Sequence, residues 1–586
     1  MAAIPVPAPA SIPGAAPKPP LTPRPAATLI LVRDGARGLE VFMLQRTHQA
    51  AFVPGGYVFP GGAVDAGDGD AFFAPDATAD ISASQRLGLP SGGLAYWTAA
   101  IRECYEEAGI LLADDAHGRP VDTAEPSLCA ALAEARGKVA SGEMAFADLC
   151  RALRMRPAFE RLAYFAHWIT PVGAPRRFDT RFYISAAPAG QCGSHDNSET
   201  IASMWLRPED ALARHKSGEA DMMFATVRTL QTLARFHDVA ALMDYARSLA
   251  TVPTHQPRVS AGSKGRRVLI QGDAAYAEVG KLDPEGKGHA ASDIVPGEVT
   301  RLSRYLRRVT APNPGYMTGP GTNSYLVGEG DDLALIDPGP ADASHVAAVL
   351  RHAGGRIRWV LTTHTHIDHS PAAALVKAQT GARVLGMPAP PHGNQDRAFV
   401  PDETLEDGMT IRIGACTLRA VHTPGHASNH LCYLLEEDRI LLTGDHIMQG
   451  STVVINPPDG NMQAYLASLQ LLKTLDIDYL APGHGFLIEN PDAVVDRIVA
   501  HRMAREAKIE RALAALGEAR IEELVAIAYD DVPPQRHAMA ARSLLAHLEK
   551  LQANGRAAVE GLFWRSAAEG LWNTGNASVR GTKGGA

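Results

Sequence analysis

Within THTHIDHS, residues 363–370, three imidazoles and a carboxylate (His364, His366, Asp368 and His369) directly follow the apolar run Trp359-Val360-Leu361. Neutral imidazole suits zinc, iron or manganese, and a carboxylate can bridge two such ions. Further candidates sit in separate Gly/Pro turns: His426 in TPGH, Asp445 in TGDH and His484 in PGHG. A second grouping lies far upstream. The run AAIRECYEEAGILL places Glu103, Glu106 and Glu107 at i, i+3 and i+4, which is one face of a helix. Like charges stacked this way destabilise a bare helix, and a divalent cation removes the conflict. Hard oxygen ligands suit magnesium or manganese. A solvated helix with an Arg102–Glu106 pair satisfies the same pattern without a metal.

Rigid elements must carry these groups. The segments SYLVG, LALIDPG, RWVLTTH, ARVLGM, CTLRAVHTPG, CYLLEE, RILLTGDH and YLAPGHG read as short strands, several ending in the turns that hold the His and Asp residues. Strands that stop at one edge aim their loops into a shared space. In an extended segment His364 and His366 project to the same side. Asp337, in LALIDPG, is expected to order a turn or support a ligand. Ser428 and His430, in GHASNH, are candidates to touch the site. The chain divides into a Pro/Ala-rich tail at 1–25, a unit at 26–248, a polar Gly/Lys-rich linker at 249–304, a unit at 305–492, a helical region at 493–566 and a tail at 567–586. The first unit opens with strands at 28–32 and 40–44 joined by a turn at Arg33-Asp34-Gly35, and VLIQGDAAYAEVG could add a short hairpin to the linker.

Composition sets limits. At 586 residues the chain is too long for one core. No apolar run reaches the length of a membrane span. The six cysteines are scattered without a CxxC pair, which suits reduced thiols and a cytoplasmic location. The C-terminal TKGGA is not a peroxisomal address. Of the formal net charge of −8, the acidic surplus falls within 311–490, which disfavours a polyanionic partner. Nothing in the sequence sets the oligomeric state.

The motif series HxHxDH, TPGH, TGDH and PGHG is similar to the metallo-β-lactamase superfamily, in particular its glyoxalase II-like hydrolases. The resemblance implies an αββα sandwich with two metals, zinc by default and manganese or iron as alternatives, at one edge. His364, His366 and His426 would hold one ion, Asp368, His369 and His484 the other, and Asp445 would bridge them, with Asp368 and Asp445 also acting in catalysis. NPGYMTGPGTNSYLVG, GSTVVINPPDGNMQAYLASLQLL and the region after HRMARE resemble the β-lactamase-like protein 2 branch, whose small winged-helix domain the helical region would form.

REcyEEaGI, for its part, is similar to the second half of the Nudix box, and FPGGAVDAGDGD to the first half. Asp68 stands at the usual Glu position, and an insertion at about 69–95 separates the halves. TPVGAPRRFDTRFYIS and HDNSETIASMWLRPEDAL point to the coenzyme A diphosphatase branch. This implies a Nudix α/β/α sandwich in which Arg102 orients the helix carboxylates, Glu103, Glu106 and Glu107 bind Mg or Mn, Glu106 serves in catalysis, and Glu199 is a further ligand or base.

The chain is therefore expected to be a multidomain α/β protein. Its expected activity is metal-dependent hydrolysis of thioesters or esters in the second unit and of a CoA-like or nucleoside-diphosphate pyrophosphate in the first. A CoA ester or nucleotide-like small molecule is the expected partner, and no membrane is. Two alternatives stand beside this reading: a single-strand endoribonuclease, for which nucleic acid would be the partner, and a catalytically inactive Nudix module that binds or regulates. β-Lactam hydrolysis is a further option.

Overall fold

The computed structural model describes residues 21–567, apart from 50–52, 75, 122, 124, 192, 197 and 198. The tails expected at 1–25 and 567–586 lie almost wholly outside the described residues. The chain forms two compact units, the first essentially Met1–Ser260 with two short later pieces, the second the remainder.

The first unit is built on an eight-stranded sheet. Its central strand Arg24–Gly35 pairs in parallel with Phe178–Ala186 and antiparallel with Gly38–Arg46. Alternation along that strand fills two cores. Ala27, Leu29 and Leu31 face the helix Leu94–Ala108, while Ile30 and Val32 face helices Phe224–Leu233 and Val239–Ser248. Burial on both faces gives the α/β/α sandwich. The turn falls at Ala36-Arg37, not at residues 33–35, because the pairing continues to Gly35↔Gly38. The insertion folds as one 3₁₀ turn, Ala71–Phe73, and a helix, Ala77–Leu87. That helix packs so closely that a Cβ on Gly93 would lie 2.3 Å from the Ser84 nitrogen.

In the second unit, a seven-stranded and a six-stranded sheet stack face to face. Tyr325, Ile336, Leu361, Leu418, Tyr433 and Leu442 fill the space between them. Helices Ala343–Ala353 and Ala373–Thr380 cover one outer face, and Met462–Leu472 with the start of Pro491–Leu516 covers the other. This is an αββα sandwich. The 26-residue helix Pro491–Leu516 is shared: Val494, Val495 and Ile498 belong to the sandwich core, Ile509, Ala512 and Leu513 to a further core with helices Ile521–Ala528 and His537–Ala553. The region expected to be helical also carries a three-stranded sheet, Glu518–Ala519, Ala557–Glu560 and Phe563–Ser566, which makes it a winged helix.

The segment expected to be a linker is structured. Thr254–His255 extends the first sheet beside His167–Trp168. Instead of a second hairpin strand, residues Tyr276–Leu282 form a helix. Its Glu278 takes both Nη atoms of the buried Arg308 at 2.7 and 2.9 Å and accepts from the Leu487 amide. The sequence concealed this, because the partner that justifies burying the carboxylate lies 30 residues away.

Candidate metal centres

In the second unit, strand ends deliver the ligating side chains to one edge. His364, His366, Asp368 and His369 follow the strand Arg356–Leu361, His426 follows Cys416–His422, Asp445 follows Ile440–Gly444, and His484 follows Tyr479–Pro482. The structure brings all seven together as three groups of converging ligand atoms: His364 with His366 and His426, His364 with His369 and Asp445, and Asp368 with His369 and His484. His364 Nε2 lies 2.8 Å from His366 Nδ1, which in turn lies 3.1 Å from His426 Nε2. Asp445 spans the groups, with Oδ2 3.8 Å from His426 Nε2 and Oδ1 3.4 and 3.3 Å from His369 Nε2 and His484 Nε2.

The far side of each ring fixes which nitrogen is free. His426 Nδ1 donates to the Val454 carbonyl at 2.8 Å and His484 Nδ1 to the Gly321 carbonyl at 3.2 Å. His369 Nδ1 donates to Asp337 Oδ2 at 2.9 Å. The Thr363 hydroxyl donates to the same Asp337 oxygen and so receives His364 Nδ1–H at 3.0 Å. Asp337 therefore supports ligands, in a left-handed backbone conformation with φ of 50°. His430 stacks on His364 with ring centroids 5.1 Å apart. Ser428 instead donates to Asp459.

The donor set fits cations. Imidazole lone pairs converge in a buried place where few protons can be shared among them. His369 Nε2 and Asp445 Oδ1 are buried and lack a hydrogen-bond partner among the described residues. Electrostatics agree. Burial and neighbouring imidazoles push His364 well below its usual range and His366 down to about 3. Burial opposes the charge on His369, yet Asp368, Asp445 and Asp337 raise it well above the usual value. Burial likewise opposes Asp445, which His484 and His369 nevertheless draw far down. Positive charge is thus favoured between the carboxylates. There is no room for a side chain beside them: a Cβ on Gly483 would lie 2.7 Å from Asp445 Oδ1 and 2.8 Å from His369 Cε1.

The first unit holds a different arrangement. Asp68 accepts from Arg102 Nε at 2.8 Å and from Nη2 at 2.9 Å. Arg102 Nη1 then holds Glu103 Oε1 at 2.9 Å and Glu106 Oε1 at 3.1 Å. Glu107 accepts from the Gly61 amide at 3.0 Å, because Gly61–Ala63 pairs with Ala26–Thr28 beside the helix. The three glutamates are not gathered into a metal-sized group as the seven residues above are. Glu103, Glu107 and Glu199 instead share the wall of a 710 Å³ cavity with Arg24, Arg46 and Arg176. Burial raises Glu103 to about 7, and burial with repulsion from Glu103 raises Glu107 well above the carboxylate range. Such stored repulsion suits a divalent cation. Glu199 lies 3.4 Å from Arg46 and is otherwise open to solvent. Pro257, Val259 and Val268, from the supposed linker, also line this cavity, which local composition did not signal.

These folds and sites define a class: two hydrolase-type domains, each of a metal-dependent family, in one chain. Residues 317–484 match the metallo-β-lactamase superfamily, 69–228 the NUDT19 Nudix domain and 521–565 the β-lactamase-associated winged helix domain. The chain is 37% identical to thioesterase pkgB of Emericella nidulans over 38% of its own length, and it spans 62%, less than two thirds, of that protein. It is 32% identical to atrochrysone carboxyl ACP thioesterase of Aspergillus chevalieri over 40% of this chain and 77% of the other. A β-lactamase-like protein 2 homolog of Caenorhabditis elegans is 28% identical over 44% and 87%. The chain belongs to the metallo-β-lactamase superfamily, with a NUDT19-type Nudix domain ahead of the sandwich and a winged helix behind it. Among the described residues no helix is long and apolar enough to cross a membrane.

Proposed function

We propose that the second unit hydrolyses a thioester with two divalent ions, zinc first among the candidates, and that the first unit cuts a pyrophosphate of the CoA type with magnesium. The observation that carries the first half is the convergence of seven candidate ligand side chains, Asp445 among them. His364, His366 and His426 would hold one ion, Asp368, His369 and His484 the other, with Asp445 between them. Two bound ions would lower the pKa of water and polarise the thioester carbonyl. The chain's own part is to keep the free ring nitrogens aimed inward, through Val454, Gly321, Thr363 and Asp337. Hydrolysis adds water across the C–S bond and releases a carboxylate and a thiol. The names of the fungal relatives support a thioester over other acyl groups.

For the first unit, Asp68 supplies the carboxylate that pins Arg102, which supports an intact Nudix helix despite the insertion. The basic residues that line the cavity together with its glutamates suit an anionic diphosphate.

The test is incubation of the purified full chain with acetyl-CoA, with Zn²⁺ and then with Mg²⁺. The expected products are free thiol, lost on chelation and in Asp445→Asn, and 4′-phosphopantetheine, lost in Glu103→Gln and Glu106→Gln. Metal-dependent cleavage of single-stranded RNA without thiol release would replace the thioester reading by the endoribonuclease one. Absence of any diphosphatase rate would leave the first unit a binding module.

A further inference from the structure

Beside the metal cluster, the second unit has a 550 Å³ cavity whose walls include Tyr316, Met317, Val454, Arg536, Met539 and Arg542. This lies within the size range of small-molecule sites, about 300–1,000 Å³. Two stretches of chain join it to the cluster. The Val454 carbonyl is the group that holds His426. The loop that carries Tyr316 and Met317 ends at Gly321 and Thr322, which hold His484 and touch Asp368. The opposite wall comes from the helix His537–Ala553 of the winged helix and the residues just before it.

The chemistry of this wall is specific. Arg536 and Arg542 are exposed, and neither forms an ion pair among the described residues, although acidic side chains dominate the sandwich. Arg536 lies over the Tyr316 ring at 5.0 Å, which holds its fork at the cavity. Tyr316 is 66% and Met317 47% exposed, so an aromatic and a thioether surface face the same space as the two guanidinium groups. Two guanidinium forks with an aromatic and a thioether surface suit one phosphate at the end of a slim, largely apolar arm. They suit a repeating phosphodiester poorly, because the sequence on either side of Arg536 and Arg542 carries no basic run.

We propose that this cavity seats the phosphate of a 4′-phosphopantetheine thioester, with Arg536 and Arg542 as its specificity residues and Tyr316 as the positioning residue for Arg536. The winged helix then acts as part of the substrate site of the sandwich. The proposal rests on the thioester reading above, and the substrate's phosphopantetheine could come from CoA or from a carrier protein.

The test uses the metal-loaded full chain, its Arg536→Ala/Arg542→Ala double variant and Tyr316→Ala. Both arginines are exposed, so circular dichroism and metal content are expected to match the parent. S-acetyl-4′-phosphopantetheine, which has no pyrophosphate to be cut, is compared with S-acetyl-pantetheine. The expected result is a fall of about tenfold or more in the ratio of kcat/KM for the two compounds in the double variant, carried by KM. A smaller fall in the same direction is expected for Tyr316→Ala. An unchanged ratio overturns the proposal. If the parent cleaves neither compound, the thioester reading fails by itself, and calorimetric binding decides the cavity's role. Tighter binding of 4′-phosphopantetheine than of pantetheine, lost in the double variant, supports the site, and equal binding in both proteins refutes it. Acetyl-CoA and an acetylated acyl carrier protein are then compared in parent and double variant, and the one more affected names the source. Competition by single-stranded RNA stronger than by phosphopantetheine, and lost in the double variant, overturns the proposal in favour of a nucleic-acid contact.

Discussion

Asp68 is where the first unit departs from the usual motif, so its removal tests whether a shorter carboxylate does the work. Its side chain is 1% exposed and that of Arg102 9%. Asp68→Ala deletes two charge-assisted bonds, at 2.8 and 2.9 Å, and a third from the Asp65 amide at 2.8 Å. Breaking a buried ion pair by removing one partner costs about 3–5 kcal/mol. Arg102 keeps Glu103, Glu106 and the Ala63 carbonyl, so the loss should fall at the low end, about 3 kcal/mol. Global unfolding of a chain with several domains is not two-state. The suitable measurement is therefore hydrogen exchange of peptides from Leu94–Ala108, whose opening free energy should drop by about 3 kcal/mol. With its clamp loosened, Arg102 no longer fixes Glu103 and Glu106, and any Mg²⁺-dependent diphosphatase rate should fall about 10–100-fold. Asp68→Glu keeps the charge but adds a methylene to a filled site, so its penalty should be smaller, about 1–2 kcal/mol. The reasoning is refuted if Asp68→Ala leaves exchange within about 0.5 kcal/mol of the parent.

Gly483→Ala places a Cβ against Asp445 and His369; metal content by mass spectrometry should drop while the far-ultraviolet circular dichroism spectrum stays that of the parent. Glu278→Ala strands the buried Arg308, whose side chain is 2% exposed, and should lower the opening free energy of peptides from Leu306–Thr310 in hydrogen exchange by about 3–5 kcal/mol; a change below about 1 kcal/mol contradicts the anchoring role given to that helix. Burial holds His345 down at about 4, so the folded imidazole stays neutral where the unfolded one takes a proton. The stability it contributes is full above pH 6.5 and is lost as pH falls towards 4, about 3 kcal/mol in all. His345→Gln should reduce the loss of hydrogen-exchange protection of Ala343–Ala353 as pH falls across that window, and an unchanged loss would show that His345 does not contribute to it.

What the sequence made legible is what repeats or is local. The strands around RWVLTTH, CTLRAVHTPG and RILLTGDH are short apolar runs cut off by Gly or Pro, and the strands Arg356–Leu361, Cys416–His422 and Ile440–Gly444 lie there. Glu103, Glu106 and Glu107 share a helix because their spacing has the helical period. Long-range pairing was not legible. Glu278 lies between Gly/Lys-rich flanks, and its partner Arg308 is 30 residues further on, so nothing local marks its carboxylate as paired. The strands Glu518–Ala519 and Ala557–Glu560 span two and four residues, too short for an alternation to register. The walls that Val259 and Val268 add to one cavity, and Arg536 and Arg542 to the other, depend on tertiary packing alone.

Asp337 shows how a residue can be located by pattern while its chemistry waits for the structure. Its place after a strand suggests a turn or a support for a ligand, without saying which. The contacts demand more: Thr363 N–H at 2.7 Å, Thr363 O–H at 2.9 Å and His369 Nδ1–H at 2.9 Å all point to its carboxylate. Three donors need a group that only accepts, and a carboxylate is the one side chain that meets them all. Through Thr363 the same group sets the tautomer of His364, so one carboxylate prepares a ligand in each proposed ion site. Asp337→Asn has nearly the same shape but turns an NH₂ towards one or more of those donors. It should lower metal affinity about 10–100-fold while leaving the sandwich folded, since a supporting group for ligands has been lost and no core volume. Competition with a chromogenic chelator measures the affinity. Parent-like affinity in Asp337→Asn would mean that the orientation of His364 and His369 is set by packing, with His430 against His364 the nearest source of it.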